Sequence, residues 1–214
     1  MLKSPLYSHE LTLSACGKSI PYAADRPVEV TLAEANGSAD KPTNYGFKNL
    51  KIKPSLIETV PELVHDTSLK ALVKAINQGE GSFFTVGCNS EIVSSTEGYR
   101  RKGYLEFAWN CASCIQDAIN YFALYFHFNK ALLLKEFNQP VQIKWIIQEA
   151  AFSDIKIHGF SCSVHIETRL LSSTEQANQV WQLSLRMLDA YLATVDTLEP
   201  KVIYKPLSQC SSEL

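Results

Sequence analysis

Between Phe83 and Val195 the chain passes twice through one order of patterns: two alternating apolar and polar segments, then a long segment of helical periodicity. In the first pass, Phe83–Val93 and Arg101–Trp109 are joined across Ser94–Gly98. Leu105, Phe107 and Trp109 share one face there, and Tyr104, Glu106 and Ala108 the other. The long helix that follows, about Cys111 to Lys135, is read with Ile115, Ile119, Phe122, Phe126 and Leu133 as its apolar stripe. In the second pass, Val141, Ile143, Trp145 and Ile147 alternate with Gln142, Lys144, Ile146 and Gln148, and Phe160–Thr168 alternates likewise. Ser173 with Gln176 has capping spacing and opens a helix whose stripe is Val180, Leu183, Met187, Leu188, Tyr191, Leu192 and Val195. Two successive hairpin-plus-long-helix units predict an α+β fold, an antiparallel sheet covered on one face by two helices. The likeness of the two units is one of pattern, without a residue-level repeat.

The first eighty residues predict a β-rich N-terminal elaboration. Leu6–Ala15, Pro27–Ala35 and Phe47–Lys53 alternate as strands, with turn chemistry at Asn36-Gly37-Ser38 and Asn44-Tyr45-Gly46. Ser55 and Glu58 have capping-box spacing, which predicts a helix from about Leu56, made irregular by Pro61. Leu69, Leu72, Val73 and Ile76 predict a second short helix over Ser68–Asn77, stopped by Gly79 ahead of a hinge-like loop through Ser82. At the other end, Val202–Tyr204 reads as a last strand and the polar tail as frayed. Residues 1–205 are therefore expected to form a single α+β domain, divided as 1–80 and 81–205, with a flexible tail over 206–214. A hydrophobic share of 46% and a charged share of 20% exclude a disordered chain.

A net charge of −2 argues against nucleic acid as a partner, because such binding rests on Lys and Arg neutralising phosphates. The basic clusters are Lys48, Lys51 and Lys53, and the run Arg100-Arg101-Lys102, which is read as the solvated edge of a strand. The longest apolar stretch, Tyr121 to Leu134, is interrupted by His127, Asn129 and Lys130, so no membrane partner is expected. The first residues lack the apolar core of a signal peptide, and a cytoplasmic location is expected. The six cysteines (Cys16, Cys88, Cys111, Cys114, Cys162 and Cys210) are then reduced thiols rather than a disulfide framework.

The sharpest motif is Trp109-Asn110-Cys111-Ala112-Ser113-Cys114, a two-residue-spaced cysteine pair at a strand-to-helix junction. At a helix N-terminus the free amides favour an anion, so Cys111 would be stabilised as a thiolate, with Cys114 one turn on to resolve a mixed disulfide. The pair, with Pro140 before the next strand, resembles the thioredoxin-like arrangement, although the helix here passes straight to that proline. Ala112-Ser113-Cys114 and the strand-strand-helix order after it resemble the OsmC-type thiol peroxidases over the last hundred residues. The resemblance implies peroxide-reducing thiol chemistry; Leu192 stands where the second cysteine of that family would fall. Against it stands a packing role for two small soft residues at the start of a buried helix.

His165 and Glu167 lie on the polar face of their strand, within reach of Lys144 across the hairpin, as an acid–base pair or as an ordinary solvated face. His127 falls among aromatic residues, as a packing group. Neither a phosphate loop, nor a nucleophile elbow, nor a His-Glu-x-x-His motif is present. No cofactor and no metal are implied, since one Cys-x-x-Cys lacks the second ligand pair of a zinc site. Tyr99, Tyr104, Tyr121, Tyr125 and Phe128 lie off the read stripes, and aromatic enrichment marks interface cores. The leading expectation is a non-catalytic module for protein binding or assembly, its partner another protein or a second copy, with Tyr99, Tyr104, Tyr121, Tyr125, His165 and Glu167 as binding residues. The alternative is a thiol-dependent redox protein using Cys111 and Cys114 as catalytic residues.

Overall fold

The alternating segments form strands. The computed structural model describes residues 6–22, 47–78 and 81–197, and within them β1 (Ser8–Ile20), β2 (Phe83–Ser95), β3 (Gly98–Trp109), β4 (Val141–Phe152) and β5 (Ile157–Thr168) make one sheet. Its order is β1-β4-β5-β3-β2. The two hairpins are β2–β3 and β4–β5, joined edge to edge by antiparallel pairing of β3 with β5. The expectation of an antiparallel sheet needs one correction: β1 lies parallel to β4, so the sheet is mixed. The N-terminal strand is thus a sheet member rather than a separate elaboration. A register shift between Ser14 and Lys18 bulges β1 and brings Lys18 opposite Ala150.

One face of the sheet carries α1 (Thr67–Asn77), α3 (Ile119–Leu134) and α4 (Thr174–Thr197), while α2 (Ala112–Ile115) turns onto the end of the other face, against Gly159, which is in phase with Ser161 and Ser163. Helix α1 starts where Asp66 accepts the amide of Leu69 at 2.9 Å, an N-cap. Helix α4 starts where Ser173 accepts the amide of Gln176, as its capping spacing implies. Trp145 on β4 sits under α3, with Phe107, Tyr125 and Phe128 at ring distances of 6.2, 6.2 and 5.5 Å, and Phe128 carries the contact on to Tyr191 of α4. Each large apolar side chain fully buried in this way contributes roughly 1.5–3 kcal/mol. Two glycines set how closely the layers approach. A Cβ on Gly103 would lie 2.7 Å from the ring of Trp181 and would strike the carbonyl of Asn89, and one on Gly159 would strike the carbonyl of Ile115.

Several local expectations change. Phe47–Lys53 is a turn rather than a strand, because the side chain of Asn49 accepts the amides of Lys51 and Ile52 and closes the backbone on itself. The Ser55–Glu58 box does not form; Pro54–Thr59 and Pro61–Leu63 are two short 3-10 turns, and Glu58 pairs with Lys70 instead. The helix read over Cys111–Lys135 breaks at Gln116–Asp117, where Asp117 accepts the amide of Ile119 and starts α3 afresh. The strand at Pro27–Ala35, the strand at Val202–Tyr204, the tail from 206, Cys210, and Gly79 with Glu80 lie outside the described residues.

The largest correction concerns the buried face of α3. Tyr121, Leu124, Tyr125, Phe128 and Leu132 point inward, whereas Ile119, Phe126 and Leu133 of the read stripe are exposed. The tyrosines win the inner face because their hydroxyls are satisfied there. Tyr121 donates to the carbonyl of Phe160 at 2.6 Å and accepts the amide of Trp109, and the hydroxyl of Tyr125 meets Nδ1 of His9 at 2.8 Å. Tyr121 and Tyr125 are therefore core residues, not the open aromatic surface expected of them. No helix of the described residues is long and apolar enough to cross a membrane.

Candidate functional site

The face of the sheet turned away from α3 and α4 is polar where β1, β4, β5 and β3 meet. Glu106 on β3 points to this face, in agreement with its alternation, yet it is only 6% exposed. Its Oε1 accepts from the hydroxyl of Ser161 at 2.7 Å and from the amide of Gln148 at 3.1 Å, and it forms an ion pair with Lys18. The β1 bulge is what delivers Lys18 to this place. Ser161, Gln148 and Lys18 were not singled out in the sequence; the signal for them was the register of two hairpins whose polar faces must abut.

Beside Glu106, Tyr104 and His165 stack with ring centroids 5.2 Å apart. Burial, and after it the charge of Glu106, pushes the Tyr104 hydroxyl up to about 12, so it is a neutral donor at neutral pH. Burial also lowers His165 below its ordinary value, with Lys144 acting in the same direction and Glu106 opposing. His165 does face Lys144 in the register, but Lys144 pairs with Glu10 at 3.0 Å and Glu167 pairs with Arg100 at 2.6 Å. The expected His165–Glu167–Lys144 grouping is thus split between two exposed ion pairs, each worth at most about 1 kcal/mol. Tyr99 is half-buried and bridges to Leu171 through its backbone.

The basic run also divides. Arg100 and Lys102 are surface groups paired with Glu167 and Glu91. Arg101, on an inner strand and in phase with Leu105 and Phe107, turns under the helices to pair with Asp66 at 2.7 Å, so the reading of a solvated edge fails for it.

Cys111 is buried at the start of α2, its Sγ 3.2 Å from the hydroxyl of Ser113, and Cys114 is half-buried. Because α2 is a single four-residue turn and α3 begins after Asp117, neither thiol sits at the N-terminus of a long helix. The expected source of thiolate stabilisation is therefore missing. No disulfide joins the five described cysteines, and no three His, Cys, Asp or Glu among the described residues cluster as metal ligands. Burial pushes Cys88 up to about 12 and raises Cys162 as well. Iodoacetamide at neutral pH is accordingly expected to modify the exposed Cys16 and to leave Cys88 and Cys162 untouched until the chain is unfolded. Peptide mass spectrometry before and after denaturation reads this directly, and native labelling of Cys88 or Cys162 would contradict it.

The remaining feature is α3 itself, apolar on nearly every side. Ile119, Phe126 and Leu133 are 61%, 66% and 67% exposed on its outer face, flanked by exposed Asp117 at one end and Lys135 at the other. No family model, no curated protein and no solved structure matches this chain.

Proposed function

We propose that the chain is an assembly module that pairs with a second copy of itself through the outer face of α3. The observation that carries this reading is the exposure of Ile119, Phe126 and Leu133, because a helix that is apolar all round is normally covered all round. These residues recur every seven positions and span about 21 Å of helix. A two-fold axis through Phe126 sets Ile119 against Leu133 of the second copy, and Asp117 against its Lys135, so the face is complementary to itself in shape of pattern and in charge. Antiparallel helices also oppose their dipoles favourably.

A single helix face is small beside the 1,200–2,000 Å² or so of a standard stable interface, so a concentration-dependent dimer is expected rather than an obligate one. Sedimentation velocity across the micromolar range should show it. Phe126→Glu places a charge in the middle of the contact and should weaken the dimer roughly tenfold or more, about 1.4 kcal/mol, with an unchanged circular dichroism spectrum. A wild-type chain that stays monomeric throughout, or a Phe126→Glu variant that dimerises as well as wild type, removes the reading.

A further inference from the structure

The register shifts in the two edge strands converge on Glu106. The one in β1 delivers Lys18 to its Oε1, and the one in β2 acts from the other side. Carried on from Thr85 opposite Phe107, the β2 register would set Val86 against Glu106; the shift places Gly87 there instead. The missing side chain leaves a notch. A Cβ on Gly87 would stand 3.6 Å from the Tyr104 hydroxyl and 3.8 Å from Oε2 of Glu106, in ordinary contact with both, so the notch has a donor on one wall and an acceptor on the other. Gly87 and Tyr104 also line a hollow of about 70 Å³ that extends from here to the turn at Pro61–Leu63.

The polar atoms around this notch are buried or half-buried, and they are incompletely paired. The hydrogen bonds and the ion pair of Glu106 all go to Oε1, and Oε2 accepts none among the described residues. Ser163, directly opposite Glu106 on β5, is 6% exposed, and its hydroxyl has no partner among the described residues; nor have the Tyr104 hydroxyl and the ring nitrogens of His165. The fully enclosed polar atoms without a partner lie elsewhere, on Arg101, Trp109, Asn129 and Trp145, so the open groups at the notch can be reached from outside. Buried polar groups are almost always satisfied, and several open ones on adjoining positions require a partner from outside the chain. We infer that the notch binds a small neutral polyol, one hydroxyl of which lies between Tyr104 and Glu106. A hydroxyl donates to Oε2 and accepts from Tyr104 with a single atom, and neighbouring hydroxyls of the same molecule are left for Ser163 and His165. An anion has nothing to donate to Oε2, an ammonium group has nothing to accept from Tyr104, and Lys18 already balances the charge of Glu106. Tyr104 keeps its proton up to about 12, so the donor is present throughout the neutral range. This site is independent of the dimer proposed above, since it lies on the face of the sheet turned away from α3.

The test is an amide NMR titration of the full chain with glycerol, erythritol and D-xylose, and with acetate and ethylammonium as charged controls. At least one polyol should give saturable shifts centred on Gly87, Tyr104, Ser163 and His165, with a midpoint in the millimolar range, and neither control should. Gly87→Ala adds a Cβ that meets only ordinary contacts, so the fold is kept while the notch is filled, and polyol affinity should fall at least roughly tenfold. Tyr104→Phe keeps the ring without the donor and should weaken binding several-fold, which checks the same point in a second variant. If none of the polyols gives saturable shifts, the notch holds water alone and the proposal is overturned. An equal response to acetate or ethylammonium, or a polyol affinity unchanged in a folded Gly87→Ala or Tyr104→Phe variant, overturns it as well.

Discussion

Asp66→Ala is expected to destabilise the fold by about 3–5 kcal/mol, the cost of stripping one partner from a buried ion pair. Asp66 is buried and is the meeting point of four elements. Its Oδ1 caps α1 through Leu69, and its Oδ2 accepts from Ser90 of β2 at 2.8 Å, from Arg101 of β3 at 2.7 Å and from Trp181 of α4 at 2.8 Å. Arg101 is further held by Asn178 and lies with its guanidinium 5.4 Å from the centre of the Trp181 ring. Its Nε is already without a partner. Removing the carboxylate therefore strips Arg101 of its counter-charge and leaves the indole N–H of Trp181 and the amide of Leu69, both in the core, without acceptors at once.

Controls separate the charge from the cap. Asp66→Asn keeps an oxygen for the Leu69 amide and removes the charge, so its loss should fall short of the alanine variant. Arg101→Met strips the pair from the other side and leaves the buried carboxylate on its neutral donors alone, so it too should be strongly destabilising, with the α1 cap intact. Urea unfolding monitored by circular dichroism reads all three. An alanine variant within about 1 kcal/mol of wild type would show that Asp66 does not tie these elements together.

The strands were legible because alternation over β2 to β5 is a period of two against a buried face, and that signal survives one misplaced residue. The inner face of α3 was not. With aromatic or aliphatic residues on nearly every side, its sequence offers no preferred direction, and the choice was made by where Tyr121 and Tyr125 could satisfy their hydroxyls. The same limit hid Arg101: three basic residues in a row suggest an edge, but phase with Leu105 and Phe107 on an inner strand dictates the inward turn. The parallel place of β1 was also beyond local pattern, since a partner more than a hundred residues away leaves no trace in the strand that receives it. Of the residues read as a binding surface, Tyr104, His165 and Glu167 share the face turned away from α3 and α4, and Tyr121 and Tyr125 belong to the core, on the other side of the sheet.

Glu106→Ala is expected to cost a comparable 3–5 kcal/mol, for it leaves Lys18 without its partner and the buried hydroxyl of Ser161 without its acceptor. The isosteric Glu106→Gln isolates the charge. In the wild type the Glu106 carboxylate raises both Tyr104 and His165, so removing that negative charge should let both lose their protons more easily. Tyrosinate absorbance should then show Tyr104 ionising below about 12, and an NMR titration of the imidazole should place His165 lower than in wild type. For stability the sign follows from the same shift. His165 in the folded chain already lies below its ordinary 6.5, so the benefit of its neutral form is fully present above pH 6.5 and is lost as pH falls through the folded value. Lowering that value further stretches the window of loss toward acid. The Gln variant should therefore show a stability that keeps declining with acidification where the wild-type contribution from His165 has levelled off, and a His165 that titrates at or above its wild-type position would remove Glu106 from its role on this face.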